Sequence, residues 1–301
     1  MRITVIGSVF IDLKGFPDNK YIPNGRNVGS IEIDHGGAAR NVAENLARCG
    51  IATRFVSNVD DTAIGGEIIQ RLSDNGIDTT YIERCENGCG MWLAVFNDTN
   101  NVVGQISRQP KYTSLEQLAQ TKGDEIISSC DAVILEFDTT PLFAETFTAL
   151  AKKYNKPLYI IVGNMEIVLK ERSLLKEISC VVCNDNEAGR LFGMSDLEQR
   201  SREEILHILC SKAPEAGIRS MIITLGSRGA VYYDAAESGI CEPMKCTVAD
   251  TTGAGDAFLS GVVMALSAGL PLSKAAQAGT RLAVKVIETV GNTCPVMKDF
   301  L

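Results

Sequence analysis

The run Asp250-Thr-Thr-Gly-Ala-Gly-Asp256-Ala-Phe258 concentrates the chemistry of this sequence in nine residues. Gly253 and Gly255 leave backbone N–H groups unobstructed, and the small and apolar stretch that follows, Leu259-Ser-Gly-Val-Val-Met-Ala-Leu266, reads as a buried helix. A helix start adds unpaired N–H donors and the positive end of a dipole, so the turn Gly253-Ala254-Gly255 is an expected anion hole. Donors fixed there would stabilise the negative charge that a transferring phosphoryl group spreads over its oxygens. Asp256 stands at the same helix start, where a carboxylate can take the proton of an attacking hydroxyl. The same residues would also serve as an ordinary helix cap. Two other phosphate motifs are missing: there is no Gly-Lys dipeptide for a Walker A loop, and the first strand is followed by Gly7-Ser-Val-Phe-Ile-Asp12 rather than Gly-x-Gly-x-x-Gly.

These residues need a scaffold, and the sequence spells one out. Short β-branched runs at Ile3–Ile6, Arg54–Asn58, Ala132–Leu135, Leu158–Val162, Cys180–Cys183 and Met221–Thr224 alternate with longer helical patterns. That alternation predicts an α/β fold, three-layer and doubly wound around a mostly parallel sheet. Two stretches break the rhythm. Leu13 to Ile33 is rich in Gly, Pro and Asn, and Met91 to Ile106 alternates with period two around a turn at Asn97–Asn101. Segments 13–34 and 91–107 are therefore expected to form a small β lid, in a chain that is otherwise one domain over residues 1–301.

Composition narrows the partners. With 29 basic against 37 acidic residues and a net charge of −8, the chain has no Lys/Arg-rich run suited to a nucleic-acid backbone. The apolar stretch after Met1 ends at Asp12, too soon for a signal peptide or a membrane span, so a cytoplasmic protein is expected. Ten cysteines without an export signal suggest reduced thiols. Cys180 and Cys183, three apart on an expected strand, should point to opposite faces rather than share a metal.

At this point the Asp-Thr-Thr-Gly-Ala-Gly-Asp-Ala-Phe run resembles the C-terminal signature of the ribokinase-like (PfkB) carbohydrate and nucleoside kinases, and the resemblance extends along nearly the whole chain. Gly36-Gly37-Ala-Ala-Arg40-Asn41 is similar to that family's Gly-Gly signature, which implies acceptor contacts from Gly36, Gly37 and Asn41, with Asp12 holding sugar hydroxyls at the end of the first strand; Arg40 is a further acceptor-site candidate, expected either to orient a base or to carry a structural hydrogen bond. Asn184-Asp-Asn-Glu187 resembles the family's Asn-x-x-Glu motif, implying that Glu187 organises Mg2+ through water and that Asn184 lies near the phosphates of ATP. Thr224-Leu-Gly226-Ser-Arg-Gly229 is similar to the nucleotide-binding turn, and Asp250 and Thr252 match positions that hold K+ in many members. The resemblance implies that Glu288–Asn292 completes that cation site and borders adenine, although Gly279 or Thr280 stands where many sugar kinases have Asn. Val162-Gly-Asn-Met165 likewise replaces a common Asp-Pro.

Within the family, Lys14–Pro17, Asn27–Gly29 and the Arg40-Asn41 pair look most like pseudouridine kinases and their nucleoside-kinase relatives. The expected reaction is ATP-dependent phosphorylation of a sugar or nucleoside hydroxyl, with the 5′ hydroxyl of pseudouridine first and ribose, fructose, inosine or uridine as alternatives. A catalytically silent ligand-binding relative would be expected to lack Asp256 or the glycines, and both are present. Members of the family often pair through their lid strands, so the resemblance makes a homodimer through the lid one expectation, with Trp92 and Val95 either forming that interface or capping the substrate.

Overall fold

The apolar runs become strands at the centre of the molecule. The structure is a computed structural model that describes residues 1–163 and 165–301. In the first half of the chain the strands are β1 (Arg2–Ile6), β2 (Phe10–Pro17), β3 (Gly29–Gly36), β4 (Ala52–Asp60), β5 (Asp78–Cys85), β6 (Gly90–Phe96) and β7 (Val102–Arg108). They are followed by β8 (Ala132–Glu136), β9 (Leu158–Ile161), β10 (Val181–Asn184), β11 (Ser220–Thr224), β12 (Ala230–Asp234) and β13 (Ser238–Cys241). The helices are α1 (Ala38–Arg48), α2 (Ala63–Asp74), α3 (Thr113–Ser128), α4 (Pro141–Lys153), α5 (Glu166–Lys170), α6 (Asp185–Phe192), α7 (Arg202–Glu215), α8 (Ala254–Ser267) and α9 (Leu272–Ile287).

Strands β5-β4-β1-β8-β9 form a parallel sheet. A bridge from Tyr159 to Cys180 continues it into β10-β11-β12-β13, whose last two pairings are antiparallel. Side chains alternate across the strands, so the sheet divides two cores. Ile3, Val5 and Ile134 pack with Val42 and Leu46 of α1, Leu72 of α2, Val262 of α8 and Leu282 of α9. Ile6, Val133 and Leu135 face the other way, onto Leu115 of α3, Phe147 of α4, Leu191 of α6 and Leu209 of α7. The expected three-layer α/β architecture is what forms. Cys180 and Cys183 enter opposite cores, as their spacing requires.

Helices α8 and α9 approach closely. A Cβ on Gly261 would come within 2.6 Å of the Ala278 carbonyl, and one on Gly279 within 2.8 Å of the Phe258 carbonyl. Gly279 is thus spent on helix packing, and the buried Thr280 donates its hydroxyl to the Ala276 carbonyl, so neither replaces the expected Asn as a nucleotide contact.

A second sheet, β3-β2-β6-β7, accounts for the two segments that broke the rhythm. The first is a long antiparallel hairpin, paired from Phe10↔Gly36 to Pro17↔Gly29. Asp12 accordingly lies inside β2, not at the end of the first strand. Register separates the faces of this sheet. Asp12, Asp34, Trp92 and Ser107 form one lateral row, and Leu13, Ile33, Leu93 and Ile106 form the neighbouring row on the opposite face. Trp92 and Val95 therefore do not share a surface. Among the described residues no helix is long and apolar enough to cross a membrane. Asn164, within the Val162–Met165 segment, lies outside the described residues.

Candidate active site

Helix α8 begins without a side-chain cap. Gly253 precedes it with φ +77°, a left-handed conformation, and a Cβ there would lie 2.2 Å from the Asn292 carbonyl oxygen. Glycine is required at that position on both counts. The Ala254 N–H bonds the Thr251 carbonyl at 3.2 Å, so of the expected donors Ala254 is already used. The N–H groups of Gly255 and Asp256 have no partner among the described residues, and they remain open at the positive end of the helix. An anion fits there. Asp256 occupies the first turn, half-buried, and burial pushes its pKa up to about 6 against the opposing pull of the Asn41 amide and the Arg40 charge.

The start of α1 closes on the same point. Gly37 caps it at φ +97°, with a hypothetical Cβ only 2.8 Å from the Ser8 carbonyl. A Cβ on Gly36 would collide with the Asp12 carboxylate at 2.4 Å, so that carboxylate rests directly on the glycine backbone. Burial raises the pKa of Asp12, while Lys14 and Arg40 pull it down. Asn41 Nδ2 donates to Asp256 Oδ2 at 2.7 Å across 215 residues of sequence. Asp12, Gly36, Gly37, Asn41 and Asp256 are thereby brought together. Of the two roles open to Arg40, the structure shows the structural one. Its side chain is 0% exposed and bonded to Gly36, His35, Asn41 and Glu44, which removes it from direct contact with an acceptor.

Asn184 and Thr224 end neighbouring strands and pair directly across β10 and β11, forming a second group. Asn184 Oδ1 accepts from the Glu187 N–H at 2.8 Å, and Glu187 Oε2 accepts from the Asn184 N–H at 2.9 Å, a reciprocal cap of α6. This cap fixes Glu187 through one oxygen and leaves Oε1 for a cation's water shell. The Thr224 hydroxyl donates to the Cys183 carbonyl at 3.3 Å, which turns it away from a ligand. Gly226 and Gly229 take φ +58° and +87°, and a Cβ on Gly229 would meet the Cys241 carbonyl at 2.2 Å. Asp250 folds over Thr252, accepting from its N–H and its hydroxyl through Oδ1 at 2.9 Å. The backbone bond from Thr252 is the main reason that the Asp250 pKa lies below the usual carboxylate range.

One residue of the site carries no sequence signal. Glu136 ends β8, is buried, and accepts from the Ser8 N–H at 2.6 Å and the Ser8 hydroxyl at 2.7 Å. Burial drives its pKa up to about 7 despite those two donors, with the negative charges of Asp138 and Asp256 adding to the shift. A carboxylate inside an apolar strand end, facing a second carboxylate, is the type of group that active sites create. Gly7 makes room for it: a Cβ there would lie 2.6 Å from Glu136 Oε2. Ser8, Glu136, Asn184 and Thr224 all lie at or just beyond the carboxyl ends of parallel strands, the edge where open α/β sheets bind ligands.

The family model described as pfkB family carbohydrate kinase matches residues 1–298. The chain is 33% identical over 304 residues to a guanosine-inosine kinase of Exiguobacterium acetylicum, covering 100% of this chain and 99% of that protein. It is 24% identical over 280 residues to the pseudouridine kinase of Escherichia coli (strain K12), covering 90% and 86%. The solved structure of Arabidopsis thaliana ribokinase complexed with ribose and ATP superposes with a TM-score of 0.86 at 22% identity, covering 99% of this chain and 96% of that one.

Proposed function

Because the chain belongs to the pfkB family of carbohydrate kinases and is an ATP-dependent kinase of the carbohydrate and nucleoside class, we propose that its acceptor is a purine nucleoside. The observation that carries the site assignment is the Asp256 carboxylate, raised towards neutrality, beside the open N–H groups at the start of α8. In this reading a ribose hydroxyl held by Asp12 and Asn41 gives its proton to Asp256 while its oxygen attacks the terminal phosphorus of ATP. The bond from that phosphorus to the ADP oxygen breaks, and the N–H groups of Gly255 and Asp256 stabilise the charge on the transferring group. Mg2+ is assigned to Glu187 through water, where it would neutralise phosphate charge, and K+ to the neighbourhood of Asp250 and Thr252. Asn184 and the Gly226–Gly229 turn are assigned to ATP.

The choice of acceptor moves with the relatives. The sequence motifs favoured pseudouridine, whereas the similarity to a guanosine-inosine kinase, over the full length of both chains, puts guanosine and inosine first and leaves pseudouridine as the second reading. An ADP-coupled assay over guanosine, inosine, pseudouridine, uridine, ribose and fructose is expected to show the highest kcat/KM on a purine nucleoside. Highest turnover on ribose or pseudouridine would overturn the purine assignment and leave the kinase class standing.

The second sheet is assigned the role of lid, with its Asp12 row towards the acceptor. Its other face exposes Ile31, Ile33, Leu93 and Ile106, a contiguous apolar surface larger in extent than scattered exposed residues would make. We assign this face to a second copy of the chain in an isologous dimer. The solution mass should be twice the 32.4 kDa of the chain, and Ile31→Glu with Ile106→Glu should halve it. A monomeric wild type would refute the pairing.

A further inference from the structure

We propose that Arg40 is a positioning residue for the reaction: its buried guanidinium fixes which end of the Asn41 amide faces the proposed base Asp256. The inference rests on the kinase reading of Asp256 and adds to it a relay, Glu44 to Arg40 to Asn41 to Asp256.

An amide side chain has two ends of nearly the same shape and opposite hydrogen-bonding character. Turned one way, Asn41 donates to the Asp256 carboxylate; turned the other, it sets one acceptor against another. The neighbour on its far side decides. Arg40 Nη2 bonds Asn41 Oδ1, and a guanidinium can only donate, so Oδ1 must face Arg40 and Nδ2 must face Asp256, as found at 2.7 Å.

Arg40 is itself held so that it cannot drift. Its Nε donates to the Gly36 carbonyl at 3.1 Å, Nη1 donates to Glu44 Oε1 at 2.6 Å, and Nη2 also bonds the His35 carbonyl. A planar fork reaches these separate acceptors together, which a lysine ammonium on a flexible stem does not. Glu44 is fully buried too, and it is further gripped by Arg71 at 2.9 Å and Arg48 at 3.4 Å. A buried charge cluster of this kind is costly to build and a weak source of stability, which favours a role in fixing geometry.

The relay also reaches the anion hole. The His35 carbonyl that accepts from Arg40 accepts in addition from Asn292 Nδ2 at 3.1 Å, and the Asn292 carbonyl is the group that lies against Gly253. One guanidinium therefore braces both the proposed base and the turn that presents the open N–H groups. The charged groups facing Asp256 are Arg40 on α1 and Glu136 at the end of β8.

The test is the pH profile of kcat/KM for the wild type, Arg40→Lys, Asn41→Ala and the double variant. Arg40→Lys keeps the charge and releases the amide, so its acid limb is expected to move up by about one pH unit, with kcat reduced about tenfold. Asn41→Ala is expected to shift the limb as far, and the double variant no further than Asn41→Ala alone, because the relay runs through that amide. If Arg40→Lys does not fold, Arg40→Met with Glu44→Met removes both buried charges together; loss of the Arg40 charge raises the limb by itself, so the relay is read by adding Asn41→Ala to that variant, which is expected to move the limb no further. An unmoved acid limb in the folded Arg40 variant, or additive shifts in the double variant, overturns the relay. Full turnover in Asp256→Asn would instead overturn the base assignment, so the two failures are distinguishable.

Discussion

Asp256→Asn is expected to lower kcat by about 10²–10⁴-fold, the range that a positioned general base contributes, while acceptor affinity measured by calorimetry changes little. The two side chains are nearly isosteric, and the carbonyl of the new amide can still accept from Asn41 Nδ2, so the loss isolates proton acceptance from architecture. The wild type carries a matching pH signature. A base must be ionised to act, so kcat/KM should climb as pH rises through the Asp256 pKa of about 6 and level off above it. Near-normal turnover in the variant would remove Asp256 from the chemistry.

The second large effect is on stability, at Glu136. Its folded pKa is raised from 4.5 to about 7 by burial, so the folded protein holds this proton more tightly than the unfolded chain does. Below pH 4.5 both states are protonated and there is no penalty. As pH rises from 4.5 to about 7 the folded state must ionise a buried carboxyl, and stability falls across that window; above it the penalty is constant. The accumulated cost is on the order of 3 kcal/mol. Glu136→Gln removes it, since the amide carbonyl can accept both Ser8 bonds that Oε2 accepts now. The variant should melt several degrees above wild type at pH 8 and at nearly the same temperature at pH 4. Equal melting temperatures at pH 8 would show that Glu136 ionises without penalty. A gain would mark Glu136 as a group kept at the expense of stability, as functional groups commonly are.

The central sheet was legible because its strands are buried on both faces. Ile3–Ile6, Ala132–Leu135 and Met221–Thr224 read as continuous apolar runs, and each became a strand. β5 escaped notice because it is an edge strand of half-exposed residues, Asp78-Thr-Thr-Tyr-Ile-Glu-Arg-Cys85, with no apolar run to betray it. The β2–β3 hairpin was hidden for a related reason: β3 is exposed along almost its whole length, so no core imposed a two-residue pattern on Gly29-Ser-Ile-Glu-Ile-Asp-His-Gly36. In the site, glycines announced themselves because left-handed turns and backbone approaches demand them. Arg40 did not, since its helix position is compatible with surface or core, and its bonds to Gly36, His35, Asn41 and Glu44 are what place it inside. Glu136 was invisible because nothing in a strand-terminal glutamate tells which carboxyls will be covered.

The bond from Asn41 to Asp256 also bears on how the chain acquires activity during synthesis. Its partners come from the first and last sixths of the sequence, and α1 hides Val42 and Leu46 in the same core as Val262 and Met264 of α8. Until the ribosome has released α8, Val42 and Leu46 rest on the strands alone, and the surface that α8 will cover stays open to wrong partners. Contacts of such sequence separation also form slowly once both segments are available. On the proposed role of Asp256, the nascent chain cannot gain its base until α8 has emerged, and a chain stopped short of residue 254 is expected to lack turnover and to aggregate more readily than the full chain.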